Sequence, residues 1–290
     1  SEKDVDTYAA YLQDEWKFTD KWLLIPAVRF DHHNAFGSHT SPKIGTTYSF
    51  SDNSRFKVNY GKSFRAPTVY ELYSTMDKRM GMMNVQVLGN PDLKPEKATN
   101  FDIGLEAEQG KWSGKLGYYH NEIDNLIDSD MFYQGYVPGV GMVVKSKYYN
   151  VGEAEISGAE AEVGYNFNDN WNVKATYNYT DAKDKTTNAR LNNRARQNGV
   201  VQLSYTDNAE LPFTATLWSK WYVDYLYKVS SNVNTYTFNT FNFVADKQIT
   251  KNLHVYAGVD NIFDKTLPYD ENHSYTIDGR TWRVGAEMTF

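Results

Sequence analysis

One pattern limits what this chain can become. Apolar and polar residues alternate with a period of two, repeatedly, over stretches of about 9–13 residues, the length a tilted strand needs to cross a bilayer. In Trp171-Asn172-Val173-Lys174-Ala175-Thr176-Tyr177-Asn178-Tyr179-Thr180 every odd position is apolar or aromatic and every even one polar. A strand sends the two sets to opposite faces. Trp282, Val284, Ala286, Met288 and Phe290 likewise oppose Thr281, Arg283, Gly285, Glu287 and Thr289. Ala159, Ala161, Val163 and Tyr165 oppose Glu160, Glu162 and Gly164, and Phe56, Val58 and Tyr60 oppose Lys57, Asn59 and Gly61.

The pattern predicts about thirteen strands, centred on Tyr11, Pro26, Thr46, Val58, Ile103, Leu116, Ala161, Ala175, Leu203, Thr216, Phe243, Val255 and Val284. Their connections alternate in length. Short ones are expected near Asp20, Asp52, Gly110, Asp169, Asn208 and Lys251, and long ones near His33, Met80, Phe132, Lys185, Val229 and Pro268. Strict short–long alternation marks an outer-membrane barrel, with short periplasmic turns and long extracellular loops. A soluble sandwich has shorter strands and no such rule. The expected fold is therefore an all-β, transmembrane antiparallel barrel, with the apolar set toward lipid and the charged set (Lys57, Lys174, Glu160, Glu162, Arg283, Glu287) toward the lumen.

Composition narrows the functions. The net charge of −6, with basic residues dispersed, gives no reason to expect nucleic acid. The absence of cysteine removes disulfides, thiol catalysis and cysteine zinc sites. No run of about 18 apolar residues supplies a transmembrane helix, which leaves a barrel open. No nucleophile elbow, zincin helix or phosphate loop occurs, so no enzyme is expected and no cofactor is assigned. Rings gather beside the short turns: Trp16 and Trp22, Phe50 and Phe56, Trp112, Phe167 and Trp171, Tyr205 and Phe213. An interfacial girdle has that placing. Ending on a strand puts the C-terminus in the periplasm. An odd strand count then predicts that residues 1–290 are the C-terminal portion of a larger barrel, closed with a segment that this chain lacks.

Several motifs resemble the TonB-dependent outer-membrane receptors. They are Ser63-Phe64-Arg65-Ala66-Pro67 followed by Glu71-Leu72-Tyr73, then Gly89-Asn90-Pro91-Asp92-Leu93-Lys94-Pro95-Glu96. Asn150 with Gly158-Ala159-Glu160, Val259-Asp260-Asn261-Ile262-Phe263-Asp264-Lys265 and the terminal Phe290 complete the set. The resemblance implies a 22-stranded barrel around a plug domain, and hence a partner: the N-terminal plug-plus-barrel segment of the same receptor, expected as a second chain, which would engage the TonB complex. It implies the outer membrane of a Gram-negative-type bacterium, with lipopolysaccharide and lipid as surroundings, and uptake of a scarce iron chelate, either ferric siderophore or haem. Cobalamin, another nutrient of the same family, or a passive porin are the alternatives. The terminal aromatic is similar to the signal read by the barrel-assembly machinery.

Candidate ligand contacts fall on the long connections. Phe64-Arg65-Ala66-Pro67 with Asn90-Pro91-Asp92-Leu93 is similar to haem receptors, whose intervening loop carries a histidine; here it carries Tyr70, Tyr73, Met76, Met80, Met82 and Met83 instead. Tyrosine and methionine ligate haem iron, and methionine also adapts to large apolar rings; a hydrophobic loop packing on its neighbours fits the same residues. Arg65 opens this stretch. His32, His33 and His39 are expected on one loop, and Arg190, Arg194 and Arg196 on another, where a basic group suits an anionic ferric chelate or lipid phosphates. Asp124, Asp128 and Asp130 form a loose acidic cluster of calcium type. Pro67, Gly89, Asn90 and Pro91 also fit a purely structural role at a strand exit.

Overall fold

The structure is a computed structural model and describes residues 5–80, 83–229, 232–267 and 277–289. Among these it contains sixteen strands and one short helix. The strands are β1 (Thr7–Gln13), β2 (Trp16–Thr19), β3 (Trp22–His33), β4 (Gly37–Ser51), β5 (Ser54–Arg65), β6 (Thr75–Met80), β7 (Met83–Leu88) and β8 (Glu96–Gln109). They continue as β9 (Trp112–Val137), β10 (Gly141–Asn166), β11 (Trp171–Asp184), β12 (Arg194–Thr206), β13 (Phe213–Val229), β14 (Asn232–Thr250), β15 (Leu253–Asp260) and β16 (Thr281–Met288). The helix is α1 (Val69–Tyr73).

Thirteen strands form one continuous wall in the order β1-β3-β4-β5-β8-β9-β10-β11-β12-β13-β14-β15-β16. Each expected centre falls in one of them. Chain neighbours pair antiparallel throughout, as tight turns require. β2 continues the line of β1 along β3. The β6–β7 hairpin lies off the wall and pairs parallel to β10 through β7. β1 and β16 do not pair with each other, so the sheet is not closed within the described residues.

The two faces segregate as the alternation requires. On one face Arg55, Glu106, Lys115 and Glu162 lie opposite one another in a row across β5, β8, β9 and β10. Lys57 reaches Glu106 at 2.8 Å, and Glu162 takes both Lys115 (3.3 Å) and Lys174 (2.8 Å). His254 stands between Asp246 (2.8 Å) and Glu287 (3.3 Å), and Arg283 pairs with Asp260. The other face is apolar and uncovered: Leu116 is 61% and Val284 83% exposed, and no large side chain is fully buried among the described residues. A soluble monomer does not leave so continuous an apolar surface in water. Along the short turns the rings touch in sequence, Phe18 on Trp22, Tyr48 on Phe50, Trp112 on Tyr165, Tyr165 on Phe167, Trp171 on Tyr205 and Tyr205 on Phe213. This is the belt expected from the sequence.

The long connections differ from expectation. The loop expected near Phe132 is strand: β9 and β10 each run 26 residues and turn only at residues 138–140. Near Val229, β13 and β14 extend to 17 and 19 residues in the same way. Hairpin pairing satisfies the backbone in water as well as in lipid, so nothing obliges a strand to end where the apolar band ends. Near His33 the connection is only residues 34–36, which places His32 and His33 at the end of β3 and His39 within β4. Arg194 and Arg196 lie in β12 rather than in the loop before it.

Candidate functional site

Where β5 leaves the wall, the chain folds into a clasp. Pro67 is buried, and its missing N–H ends the ladder. Thr68 then caps α1 with a full capping box: its hydroxyl accepts from the Glu71 amide at 3.1 Å, and the Glu71 carboxylate accepts from the Thr68 amide at 2.8 Å. Glu71 also receives Arg65, which grips Glu96 with two further hydrogen bonds at 2.7 and 2.8 Å. Glu96 accepts in addition from the Ile127 amide at 2.7 Å, which ties the clasp to β9. Burial pushes the Glu71 carboxyl up, but the Thr68 amide and the Arg65 guanidinium outweigh it and hold the group below its ordinary range. The hydrogen bond to Glu96 raises the already basic Arg65 further.

Residues 89–96 close over this helix. The Gly89 amide donates to the Ser74 carbonyl, and the Asn90 amide to the Glu71 carbonyl. A Cβ at Gly89 would stand 2.8 Å from the backbone of Leu72 and Tyr73, so only glycine permits the approach. Asn90 donates to the Tyr148 carbonyl, and Asn150 binds both the amide and the carbonyl of Lys94. Beneath lie Leu72, Leu93 and Ile127, with Phe36 and Tyr148 packed against them. The residues of the most distinctive motifs therefore brace the base of the long β9–β10 hairpin.

On the other side of that hairpin lies a second apolar cluster, Leu126, Val151, Ala154, Ala182 and Leu191. Within β9 the left-handed Asn125 (φ 56°) immediately precedes Leu126 of this cluster. Leu191 brings the β11–β12 connection onto this cluster and carries the arginines with it. Arg190 binds the carboxylate and the carbonyl of Asp224, both at 2.9 Å, and Arg196 approaches the same carboxylate at 3.6 Å. Arg194 lies 3.9 Å from Asp128 and donates to the Asn192 carbonyl. The Arg196 Nε is buried without a hydrogen-bond acceptor. Asp128 is pushed up by burial despite Ser129 and Arg194, and Tyr149, opposite it in register, is pushed up to about 12 by burial and by Asp128 and Asp130. Sequence reasoning missed Asp224, Tyr148 and Tyr149; no local signal marks them, because their roles come from neighbours distant in the chain.

The remaining candidates are dispersed over the neighbouring connections and strand ends. Tyr70 and Tyr73 on α1 are exposed; the Tyr70 hydroxyl donates to the Met76 sulfur at 3.2 Å, and its ring meets Tyr148 edge-on at 6.2 Å. Met80 and Met83 face each other across the β6–β7 turn in backbone register, while Met82 lies outside the described residues. His32 lies 2.9 Å from the Ser38 hydroxyl; His33 is buried and accepts from the Ala35 amide. His39 stacks on Phe64 at 3.7 Å and donates to the Phe36 carbonyl. Asp124, Asp128 and Asp130 do not converge. Among the described residues the group of acidic and imidazole side chains close enough to share a cation is His120, Glu122 and Glu155.

The comparisons with known proteins agree with this architecture. Residues 1–262 match the family model described as TonB dependent receptor-like, beta-barrel. The chain is 25% identical to the ferrienterobactin receptor of Escherichia coli (strain K12), over 98% of the chain and 42% of the relative. It is 27% identical to the vitamin B12 transporter BtuB of Photobacterium profundum, over 100% of the chain and 44% of the relative. The crystal structure of a ferric enterobactin receptor (PfeA) mutant from Pseudomonas aeruginosa superposes with a TM-score of 0.75 at 20% identity, covering 99% of this chain and 45% of that one. The chain thus spans less than half the length of the relatives it matches. With the family matched over residues 1–262 and the wall, belt and braced hairpins all in place, this chain belongs to the TonB-dependent receptor β-barrel family.

Proposed function

We propose that the intact protein is an outer-membrane receptor of a Gram-negative-type bacterium that captures a scarce iron chelate, a ferric siderophore or haem, and imports it with energy from the TonB system. In this reading the charged face lines the lumen, the short turns and the C-terminus are periplasmic, and the long connections form the extracellular mouth. Residues 1–290 form the C-terminal part of the barrel. The plug and the first strands come from an N-terminal segment, as a second chain, which also engages the TonB complex. Lipopolysaccharide and lipid cover the apolar face.

The observation that carries the ligand assignment is the pair Arg194 and Arg196. Both share the face of Gln202 and Ser204 at the mouth, and their ion pairs are long, 3.9 and 3.6 Å, which leaves donors for an anionic ligand. Tyr70 and Tyr73 add apolar contact area from the connection between β5 and β8, and the methionines of that stretch, Met80, Met82 and Met83, suit a large apolar ligand by their chemistry. Arg65 acts through the shape of the mouth, since its guanidinium already holds Glu71 and Glu96, and His32 and His33 each have Nδ1 engaged by a neighbour. Binding of an anionic ferric siderophore to the intact receptor tests the reading. Arg194→Ala with Arg196→Ala should weaken it about tenfold or more while barrel assembly is unchanged. Tight cobalamin binding without ferric-chelate binding would move the assignment to the vitamin branch represented by BtuB. Steady ion conduction through the assembled barrel would favour a porin.

A further inference from the structure

β16 is an edge of the wall among the described residues, where its partner is β15 over Thr281–Met288. On its charged face two side-chain fastenings hold it to that partner. Toward the long connection, Arg283 grips Asp260 with two donors, both at 2.9 Å. Toward the short turn, Glu287 meets its register neighbour His254 at 3.3 Å. The first fastening is constant, because a guanidinium stays charged throughout the range in which an imidazole titrates. The second is not, because an imidazole gains and loses its proton near neutrality.

A third group fixes the chemistry. The Nδ1 of His254 lies 2.8 Å from a carboxylate oxygen of Asp246 on β14. An ionised carboxylate only accepts, so Nδ1 carries hydrogen whether the ring is charged or neutral. The change of charge therefore falls on Nε2, the atom that faces Glu287. Charged, the ring donates from both nitrogens and ties β14, β15 and β16 together. Neutral, Nε2 presents a lone pair to a carboxylate 3.3 Å away, and an attraction becomes a repulsion.

The surroundings leave the pair open to this change. On β14, Gln248 stands opposite His254 in register, and Thr214 of β13 lies opposite Asp246. Lys247 alternates to the other face and donates to the Leu211 carbonyl at 2.6 Å. Tyr256, next on the same face of β15, lies over Gly285. Arg283, four residues along β16, is held by Asp260. Lys251 and Asn252 form the turn, and Asn252 exchanges two hydrogen bonds with Thr289. The side chains of His254 and Glu287 are 38% and 69% exposed, so protons reach them.

We propose that His254 is a proton-operated fastening of β16. Protonated, it adds a bond at the turn end of the strand, beside the seam at which the barrel closes with the N-terminal segment. Deprotonated, it loosens that end while Arg283 and Asp260 keep the other in place. This regulation goes beyond nutrient capture and holds whichever ligand the receptor takes.

The test is hydrogen exchange of the intact receptor in detergent micelles, read by mass spectrometry and corrected for intrinsic rates. The range runs from about pH 8 down to about pH 5.5, above the titration of ordinary carboxylates. Exchange across residues 284–288 should slow about threefold as the pH falls. His254→Gln should remove the response, because glutamine does not titrate. Glu287→Gln should also remove it, because an amide can donate to the neutral Nε2 and accept from the charged ring. Arg283→Ala should speed exchange at every pH and leave the response in place. Heat-modifiable migration on gels shows that each variant folds, and if His254→Gln does not fold, Glu287→Gln decides. A flat profile in the wild type would overturn the proposal, as would a response that survives in either folded glutamine variant.

Discussion

At the scale of single residues, several glycines are fixed by an aromatic ring lying across them. Trp221 lies over Gly199, its register neighbour on β12, and stacks on Tyr177 beyond at 5.9 Å. Tyr119 covers Gly158 and meets the Thr180 hydroxyl, and Tyr256 covers Gly285. A Cβ at any of the three would collide with the ring. Gly199→Ala should therefore destabilise the barrel by about 1–3 kcal/mol through overpacking, read as a lower temperature for loss of heat-modifiable migration. Adding Trp221→Ala should recover part of that loss, and no recovery would mean that the backbone contact with Thr176 dominates. Arg65 is fixed by charge instead. Arg65→Ala leaves Glu71 and Glu96 facing each other without their shared cation. It should cost about 1–3 kcal/mol of clasp stability, visible as faster hydrogen exchange at Leu72 and Ile127. Arg65→Lys should rescue only partly, because an ammonium cannot grip Glu96 with two parallel donors.

At the scale of elements, α1 shows how little local propensity decides. Five residues are too few to form a helix alone, and α1 persists because Thr68 caps it, Leu72 is buried and the backbone of Gly89 and Asn90 binds its end. Gly89→Ala should undock it through the 2.8 Å approach to Leu72 and Tyr73, seen as protease sensitivity between β5 and β8 with the wall intact. The clasp should also respond to pH. Glu71 has a lowered folded-state value, so its contribution is fully present above the ordinary carboxylate value and is lost as pH falls through the folded one. Exchange at residues 72–74, corrected for intrinsic rates, should rise below about pH 4.5. Glu71→Gln should abolish that response, and a pH response that survives Glu71→Gln would assign it to another carboxylate. The 26-residue strands of the β9–β10 hairpin were not visible in advance. Their outer half alternates no differently from a loop rich in tyrosine, and what keeps it paired is the clasp on one side and Leu191 on the other.

For the whole molecule, β1 and β16, the edges of the wall among the described residues, set the main expectation. Open edges are not tolerated in lipid, so co-expression with the N-terminal segment of the receptor should yield a heat-modifiable barrel that residues 1–290 alone do not. A stable folded monomer of these residues in the membrane would contradict that. Thirteen wall strands, their centres, the division into charged and apolar faces and the aromatic belt were all legible in the sequence. Each follows from a period-two pattern that places a side chain on one face whatever the partner strand is. The distinctive motifs were legible as motifs, but not as a clasp. Nothing local says that Arg65 meets Glu96, that Asn150 holds Lys94, or that Gly89 lies against α1. The arginines show the same division: their spacing places three of them close in the chain, while the fold put Arg190 and Arg196 on Asp224 and Arg194 near Asp128. Which face each strand residue occupies thus follows from amino-acid order, because that needs no more than the geometry of one strand. Which loops became hairpins and which charges met follow from the assembled wall, because those depend on register and on segments far apart in the chain.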